Sequence, residues 1–196
     1  MKISILKIGN HRTISFAASE LSRLLKTMDN TVCIDIRRYE SYDSEIKNCI
    51  WIGMDGTIAE SIDDTISIKV KNGAGIITGS NECSVLIGVY RFMYELGCRF
   101  LRPGMDGEKI PTKKLSPNVL NVEVQETAFY RHRAVCIEGS VSYEHVYNMI
   151  DWLPKVGMSG YFVQFFTPTS FFERYYRRFY NDSAEPDFVS YSQIQT

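Results

Sequence analysis

Short stretches in the first part of the chain alternate apolar and polar residues, which is the pattern of half-buried β-strands. Ile3 and Ile5 alternate with polar neighbours, and the same two-residue period recurs in residues 31–37 and 66–70. Two brief apolar runs, residues 49–53 and 75–79, are of strand length, and Val122 and Val124 mark a last short strand. We therefore predict five or six strands before residue 128.

Two segments between these strands follow the helical period instead. The apolar residues of each fall on one helical face, with offsets of three and four: Ala17, Leu21, Leu24, Leu25 and Met28 in the first, and Val85, Val89, Met93 and Leu96 in the second. Thr13 or Ser15 is the expected N-cap of the first helix, and Ser80 or Asn81 that of the second, which Gly97 ends. The predicted fold class is α/β, a sheet with both helices on one face.

The pattern changes in the second part of the chain. Residues 133–138 and 161–166 are apolar strand candidates, and residues 143–153 and 171–180 are helix candidates. Strand, helix, strand, helix is the order that a parallel sheet requires. We therefore predict two βα units, the first units of an incomplete (β/α)8 barrel.

Aromatic residues mark the boundary between these parts. Only eight of the 25 aromatic residues precede residue 129, and the other 17 follow. Residues 102–128 contain several glycines and prolines, which are typical of a junction. The predicted domains are therefore residues 1–128 and 129–196.

Length and charge limit the classes of protein. A closed (β/α)8 barrel needs about 200–250 residues, and this chain has 196. The formal net charge is −1, which disfavours a nucleic-acid partner. The N-terminus alternates like a strand, no apolar run is as long as a membrane span, and the five cysteines form no C-x-x-C pair. We expect a cytoplasmic protein with mostly buried thiols, no membrane partner, no metal site and no cofactor.

The motifs that suggest chemistry are weak. Gly73, Gly75 and Gly79 suggest a dinucleotide fingerprint, but a strand lies inside the motif, so a hairpin turn is the better interpretation. Residues 103–108 hold two carboxylates without calcium-loop spacing and are interpreted as a turn. Glu138 and Gln164 lie near the ends of the two later strands, where parallel sheets bind ligands, and are the best-placed polar residues. One carboxylate is not a glycosidase pair.

Residues 171–180 interleave six aromatic residues with three arginines. Core packing or a docking surface is the favoured interpretation. Stacking on sugars, self-association and binding to nucleic-acid bases remain alternatives.

Several short motifs together resemble a known family group. The chain is similar to the N-terminal domain that precedes the catalytic barrel in α-glucuronidase-like and β-hexosaminidase-like glycoside hydrolases. The similarity lies in residues 79–80, 86–90, 96–100, 103–104 and 110–111. Residues 130–165 resemble the opening βαβ unit of the same barrels.

The resemblance implies a noncatalytic domain that supports a barrel, with catalytic carboxylates on strands later than this sequence reaches. It also implies that Arg133 occupies the position of a sugar-binding arginine. Ala134 stands where those enzymes usually have glycine, and Glu138 where they often have aspartate. The predicted substrate-binding residues are Arg133, Glu138 and Gln164, and no catalytic residue is predicted.

These expectations give one leading hypothesis and two alternatives. The leading one is the N-terminal part of a glycoside-hydrolase-like protein of carbohydrate metabolism, inactive alone, whose partner would be a glycoside if the barrel were complete. The first alternative is a carbohydrate-binding or protein-interaction module that uses the aromatic-rich C-terminal segment, with self-association through unfinished barrel edges. The second is a nucleotide-binding domain, suggested by the glycines alone.

Overall fold

The computed structural model describes residues 1–61, 63–136, 142–162 and 168–179. The strands in these ranges are β1 (Lys2–Ile8), β2 (Cys33–Tyr39), β3 (Cys49–Ile52), β4 (Thr65–Lys71), β5 (Ala74–Gly79), β6 (Arg99–Phe100), β7 (Glu108–Lys109), β8 (Val122–Thr127), β9 (Ala134–Cys136) and β10 (Gly160–Phe162). The helices are α1 (Arg12–Met28), α2 (Glu82–Glu95), α3 (Tyr143–Trp152) and α4 (Thr169–Phe179), and short 3₁₀ turns span Met105–Gly107, Pro117–Val119 and Leu153–Val156.

Six strands form the main sheet, in the order β2-β1-β3-β5-β4-β8. The first four are parallel to one another, whereas β4 is antiparallel to both β5 and β8. The mixed α/β class is therefore confirmed. In the described part of the chain eight strands precede residue 128, two more than the largest number predicted. The antiparallel pair β6–β7 lies inside the segment that the sequence marked only as a junction.

Both long helices cover the same face of the sheet, as the two apolar stripes predict. The stripe of α1 is completely buried and packs against that of α2 and against the inward side chains of β1, β3 and β5. These inward side chains are Ile3, Ile5, Ile50, Ile52 and Ile77. Each buried aliphatic side chain of this size stabilises the fold by about 1.5–3 kcal/mol, so this layer is the main source of stability.

A second, smaller apolar cluster covers the opposite face near β1 and β3. Trp51 lies at its centre, with the rings of Tyr39 and Tyr42 edge-on at 5.2 and 5.3 Å. Leu6 and Ile76 complete the cluster. Because both faces are covered here, β1 and β3 are apolar on both sides, as in the interior of parallel sheets.

The predicted N-cap of the first helix is wrong. Helix α1 is capped by His11, whose Nδ1 accepts the N–H of Thr13 at 3.3 Å, so neither Thr13 nor Ser15 is the cap. An imidazole acceptor replaces the usual hydroxyl, which is why the sequence pattern missed it. The N-cap of α2 is Asn81, as predicted.

The thiols are also less buried than expected. Cys49 and Cys98 are buried, whereas Cys33, Cys83 and Cys136 are exposed. Cys33 opens the edge strand β2, and Cys83 lies in the first turn of α2. Their positions in these elements, which the sequence pattern does not reveal, decide their exposure.

The second part of the chain forms a parallel βαβ unit. β9 pairs with β10, with Ala134 opposite Gly160 and Cys136 opposite Phe162, and α3 lies between the two strands in the chain. The βα order is thus confirmed within the described residues. Whether it continues into a barrel stays a prediction.

Gly75 provides a test of the sheet geometry. Its φ is +145°, and a Cβ atom there would lie 1.9 Å from the carbonyl oxygen of Lys69 on β4. We expect Gly75→Ala to cost about 3 kcal/mol or more, because the backbone of β4 cannot move without breaking the ladder. The free energy of unfolding in urea is the measurement.

Gly9→Ala is the matched control. Gly9 also has a positive φ, of +74°, but a Cβ atom there would meet nothing within 4 Å. Only backbone strain remains, and a loss of about 1–2 kcal/mol is expected. Equal losses in the two variants would show that close packing at Gly75 is unimportant.

Candidate functional site

The main sheet together with helices α1 and α2 is here called the sheet domain. A cleft of about 780 Å³ lies where the sheet domain meets the βαβ unit. Helix α2 forms one wall, the end of β8 and residues 128–130 form a second, and the turn 154–157 forms a third. Pockets of this volume are typical of ligand sites. We therefore describe the residues that build its walls.

A buried ion pair connects the two parts of the chain at this junction. Nζ of Lys155 donates to Oε1 of Glu108 at 2.8 Å, and the two side chains are only 3% and 4% exposed. Lys155 also pairs with Asp151 of α3. Strand β7 is thus connected to the βαβ unit by charges that are shielded from water.

The same carboxylate reaches the sheet domain through Arg23 of α1. Nη1 and Nη2 of Arg23 donate to the two Glu108 oxygens at 2.8 and 2.9 Å, while its Nε and Nη2 donate to Glu20. The hydroxyl of Tyr90 on α2 donates to Glu20 at 2.8 Å. Three carboxylates, two cations and a phenol therefore form one network that spans α1, α2, β7 and α3.

The pKa shifts in the network follow from this geometry. Burial alone would raise the pKa of Glu108, but the hydrogen bonds from Arg23 and Lys155 outweigh it and lower that pKa below its usual value. Burial would lower the pKa of Lys155, and the bonds to Asp151 and Glu108 raise it instead. Both groups are therefore held in their charged forms.

Arg133 clamps the other side of the junction. Its Nη2 donates to Oδ2 of the buried Asp64 at 2.5 Å, and its Nε and Nη1 donate to the carbonyl oxygens of Gly157 and Tyr130, both at 2.7 Å. Asp64 also accepts from Ser84 and Asn81 at the start of α2. Arg133 therefore connects α2, the residues before β9 and the turn before β10.

The structure places one of the three predicted substrate-binding residues. Arg133 lies just before β9 and lines the junction cleft. Glu138 and Gln164 lie outside the described residues. Their meeting at one end of the β9–β10 pair stays a prediction, as does the sugar contact of Arg133.

The aromatic segment packs onto its neighbour. Tyr175 of α4 lies 6.1 Å from Tyr147 of α3, and Phe172 lies 6.4 Å from Tyr161 of β10, between ring centroids. The guanidinium of Arg174 lies 4.1 Å from the ring of Tyr143. These contacts agree with the packing interpretation of residues 171–180.

The glycine motif is a hairpin turn, as predicted. Asn72 and Gly73 connect the antiparallel strands β4 and β5, with φ angles of +53° and +75°. An Asn-Gly pair with two positive φ angles is the preferred two-residue hairpin. No strand-to-helix turn for a pyrophosphate exists at this position.

Among the described residues, no group of three or more His, Cys, Asp or Glu side chains could hold a metal ion. In the same ranges, no helix is both long and apolar enough to span a membrane.

The network residues were missed by sequence reasoning. The sequence predicts only a simple turn at Glu108 and gives no signal for Lys155 or Arg23. Glu108 lies 85 residues from Arg23 and 47 from Lys155, so no local spacing connects them. A carboxylate in a loop between Pro103 and Pro111, next to Gly107, is the signal that the sequence offers.

Comparison with known proteins gives little. No family model and no curated protein matches the chain. Among solved structures, it is similar to a GH138 enzyme targeting pectin rhamnogalacturonan II, with 18% sequence identity and a TM-score of 0.43. The match covers 71% of this chain and 17% of that enzyme. A likeness of this degree assigns neither family nor activity.

The buried ion pair can be tested by removing one partner. Lys155→Met leaves Glu108 with one cation fewer in a buried site, and we expect a loss of about 3–5 kcal/mol in the free energy of unfolding. The double variant Lys155→Met with Glu108→Leu should lose less free energy of unfolding than the two single variants together.

Arg102→Gln is the control for this pair. Arg102 forms an ion pair with Asp106 in the same loop, but both side chains are about two-thirds exposed. Arg102→Gln should lower the free energy of unfolding by no more than about 0.5 kcal/mol. If Lys155→Met cost no more than Arg102→Gln, the buried pair would not hold the junction.

The pH dependence of stability follows from Glu108. Because its folded pKa is lowered from the ordinary 4.5, its contribution is complete above that pH and is lost as the pH falls below it. The free energy of unfolding, measured in urea between pH 7 and pH 3, should fall steeply at the acid end of this range. In Glu108→Gln the fall should be shallower. Parallel limbs in both proteins would contradict this assignment.

Proposed function

We propose that this chain is the N-terminal portion of a glycoside-hydrolase-like protein, with residues 1–128 as a noncatalytic domain that supports the first βα units of a barrel. The observation that carries the proposal is the parallel βαβ unit held against the sheet domain. Such a unit on its own exposes much of its apolar surface, and a supporting domain would stabilise it.

Three connections support the role of the sheet domain as a base. Trp152 at the end of α3 donates from Nε1 to the carbonyl oxygen of Phe100 on β6 at 2.9 Å. Lys155 enters the buried network through Glu108, and Arg133 pairs with Asp64. These bonds hold the unit at residues 133, 152 and 155 and restrict its rotation on α2.

The carbohydrate assignment rests on the sequence resemblance. In the proposed protein, Arg133, Glu138 and Gln164 would contact a sugar, and two carboxylates on later strands would cleave the glycosidic bond. Nε, Nη1 and Nη2 of Arg133 each donate to the protein itself. These bonds use three of the five guanidinium N–H groups, so a sugar bound by Arg133 would take the second N–H of Nη1 or Nη2, or replace one of these acceptors.

The open face of the βαβ unit fits this proposal. Phe162 on β10 is 57% exposed, and Ala134 and Cys136 on β9 are also exposed. These three residues lie on the same face of the strand pair, given the register of Cys136 with Phe162. Further strands and their side chains would bury this face.

The proposal predicts that the purified 196-residue chain does not hydrolyse aryl glycosides. The proposal assigns the catalytic carboxylates to later strands, so it expects neither acid catalysis nor nucleophilic attack from this chain. A panel of nitrophenyl α- and β-glycosides, including neutral, amino and acidic sugars, is the measurement. Turnover that is abolished in Glu138→Gln would contradict the proposal, because it would place catalysis in this chain.

A further inference from the structure

The junction cleft is lined by apolar side chains that remain in contact with water. Phe129 is 98% exposed, Tyr130 75% and Leu101 64%, and Tyr94 and Val156 are exposed as well. Large apolar side chains concentrated in one concave surface are typical of an interaction site. Arg133 also lines this cleft, whereas Glu138 and Gln164, the other residues proposed to contact a sugar, lie outside the described residues.

One cation of the cleft, Arg99, forms no ion pair with the part of the chain that the structure describes. Arg91 pairs with Glu126, Arg133 with Asp64 and Lys155 with Glu108. Among the described residues, no carboxylate pairs with Arg99. The uncompensated charge of the cleft is therefore positive.

The guanidinium of Arg99 is held in place while two of its nitrogens remain available. Nη1 donates to the carbonyl oxygens of Tyr94 and Cys98, at 2.9 and 2.7 Å, and the group stacks 3.8 Å from the ring centre of Tyr94. Nε and Nη2 donate to no acceptor within the described ranges. Two adjacent N–H groups of this kind match the two oxygens of a carboxylate.

An open strand edge borders the same cleft. β8 ends the main sheet and pairs only with β4 in the described part of the chain. The N–H of Ala128 donates to the carbonyl oxygen of Asp64 at 2.8 Å, continuing that ladder. Because residues of an antiparallel strand alternate in direction, the backbone groups of Thr127 point away from β4. The position of Thr127 in the lining brings this edge to the cleft.

We propose that the cleft binds an extended acidic peptide segment of a partner polypeptide. The peptide backbone pairs with the open edge of β8 at its end, Thr127. An apolar side chain enters the cleft between Tyr94 and Leu101, and a carboxylate binds Nε and Nη2 of Arg99. A strand edge favours a polypeptide over a sugar, because only a backbone repeats N–H and C=O groups at strand spacing.

Fluorescence polarisation with a defined peptide tests this proposal. The probe is a labelled nonapeptide of threonine that carries one phenylalanine and one glutamate two positions apart, so both lie on one strand face. Saturable binding to the 196-residue chain is expected. The same peptide with glutamine in place of glutamate should bind about tenfold more weakly, since it loses a charge-assisted pair.

Variants of the chain identify the surface. Arg99→Gln should lower the affinity for the glutamate probe about tenfold and leave the affinity for the glutamine probe nearly unchanged. Leu101→Ser, at a position that is already exposed, should lower the affinity for both probes. Arg37→Gln on β2, the opposite edge of the sheet, is the matched control and should bind both probes as the parent does.

Amide hydrogen exchange then tests the strand pairing. The N–H group of Thr127 should become protected from exchange when the probe binds, and those of β2 should not. Absence of saturable binding by the glutamate probe at millimolar concentration would overturn the proposal. The proposal would also be overturned if Arg37→Gln lowered the affinity for the glutamate probe as much as Arg99→Gln does, or if only the amides of β2 became protected.

Light scattering separates this occupant from a second copy of the chain. A monomer at the concentrations used is expected. A dimer that Leu101→Ser dissociates would show that the cleft is a self-association surface and would overturn the peptide assignment.

Discussion

The buried pair of Lys155 and Glu108 is the interaction on which the arrangement of the two parts depends. A charge in an interior site is tolerated only when a partner is placed within hydrogen-bonding distance. Glu108 must therefore lie beneath Arg23 of α1, and the turn after α3 must bring Lys155 to the same point. The β6–β7 hairpin and the 153–156 turn take their positions from this requirement.

The cleft is a consequence of the same arrangement. The turn 154–157 is held at two points, where Lys155 pairs with Glu108 of β7 and where Arg133, which pairs with Asp64, donates to the carbonyl oxygen of Gly157. The space between these two points therefore cannot collapse. The apolar residues at its rim remain exposed because the surrounding backbone is fixed by ion pairs. A surface built in this way is rigid before a ligand arrives, which reduces the entropy cost of binding.

Most secondary structure followed from periodicity. The alternation at Ile3 and Ile5 and the stripe from Ala17 to Met28 predicted the elements and the face they share, because burial of an apolar stripe is a local property of the sequence. The cap at His11 was missed because several side chains can accept the same N–H. The β6–β7 pair was missed because a strand of two residues has no period.

The candidate site divides in the same way. The sequence determined by itself that the chain has an α/β sheet with two helices on one face and then βα units, and that Arg133 lies at the start of the second part. Only the tertiary structure decided that Glu108 and Lys155 are buried together, that Arg133 pairs with Asp64, and that Arg99 has no carboxylate partner among the described residues. Periodic patterns act over a few residues, whereas these contacts join residues 47 to 85 positions apart, or leave a charge unpaired, and their free energy depends on the local desolvation of the folded chain.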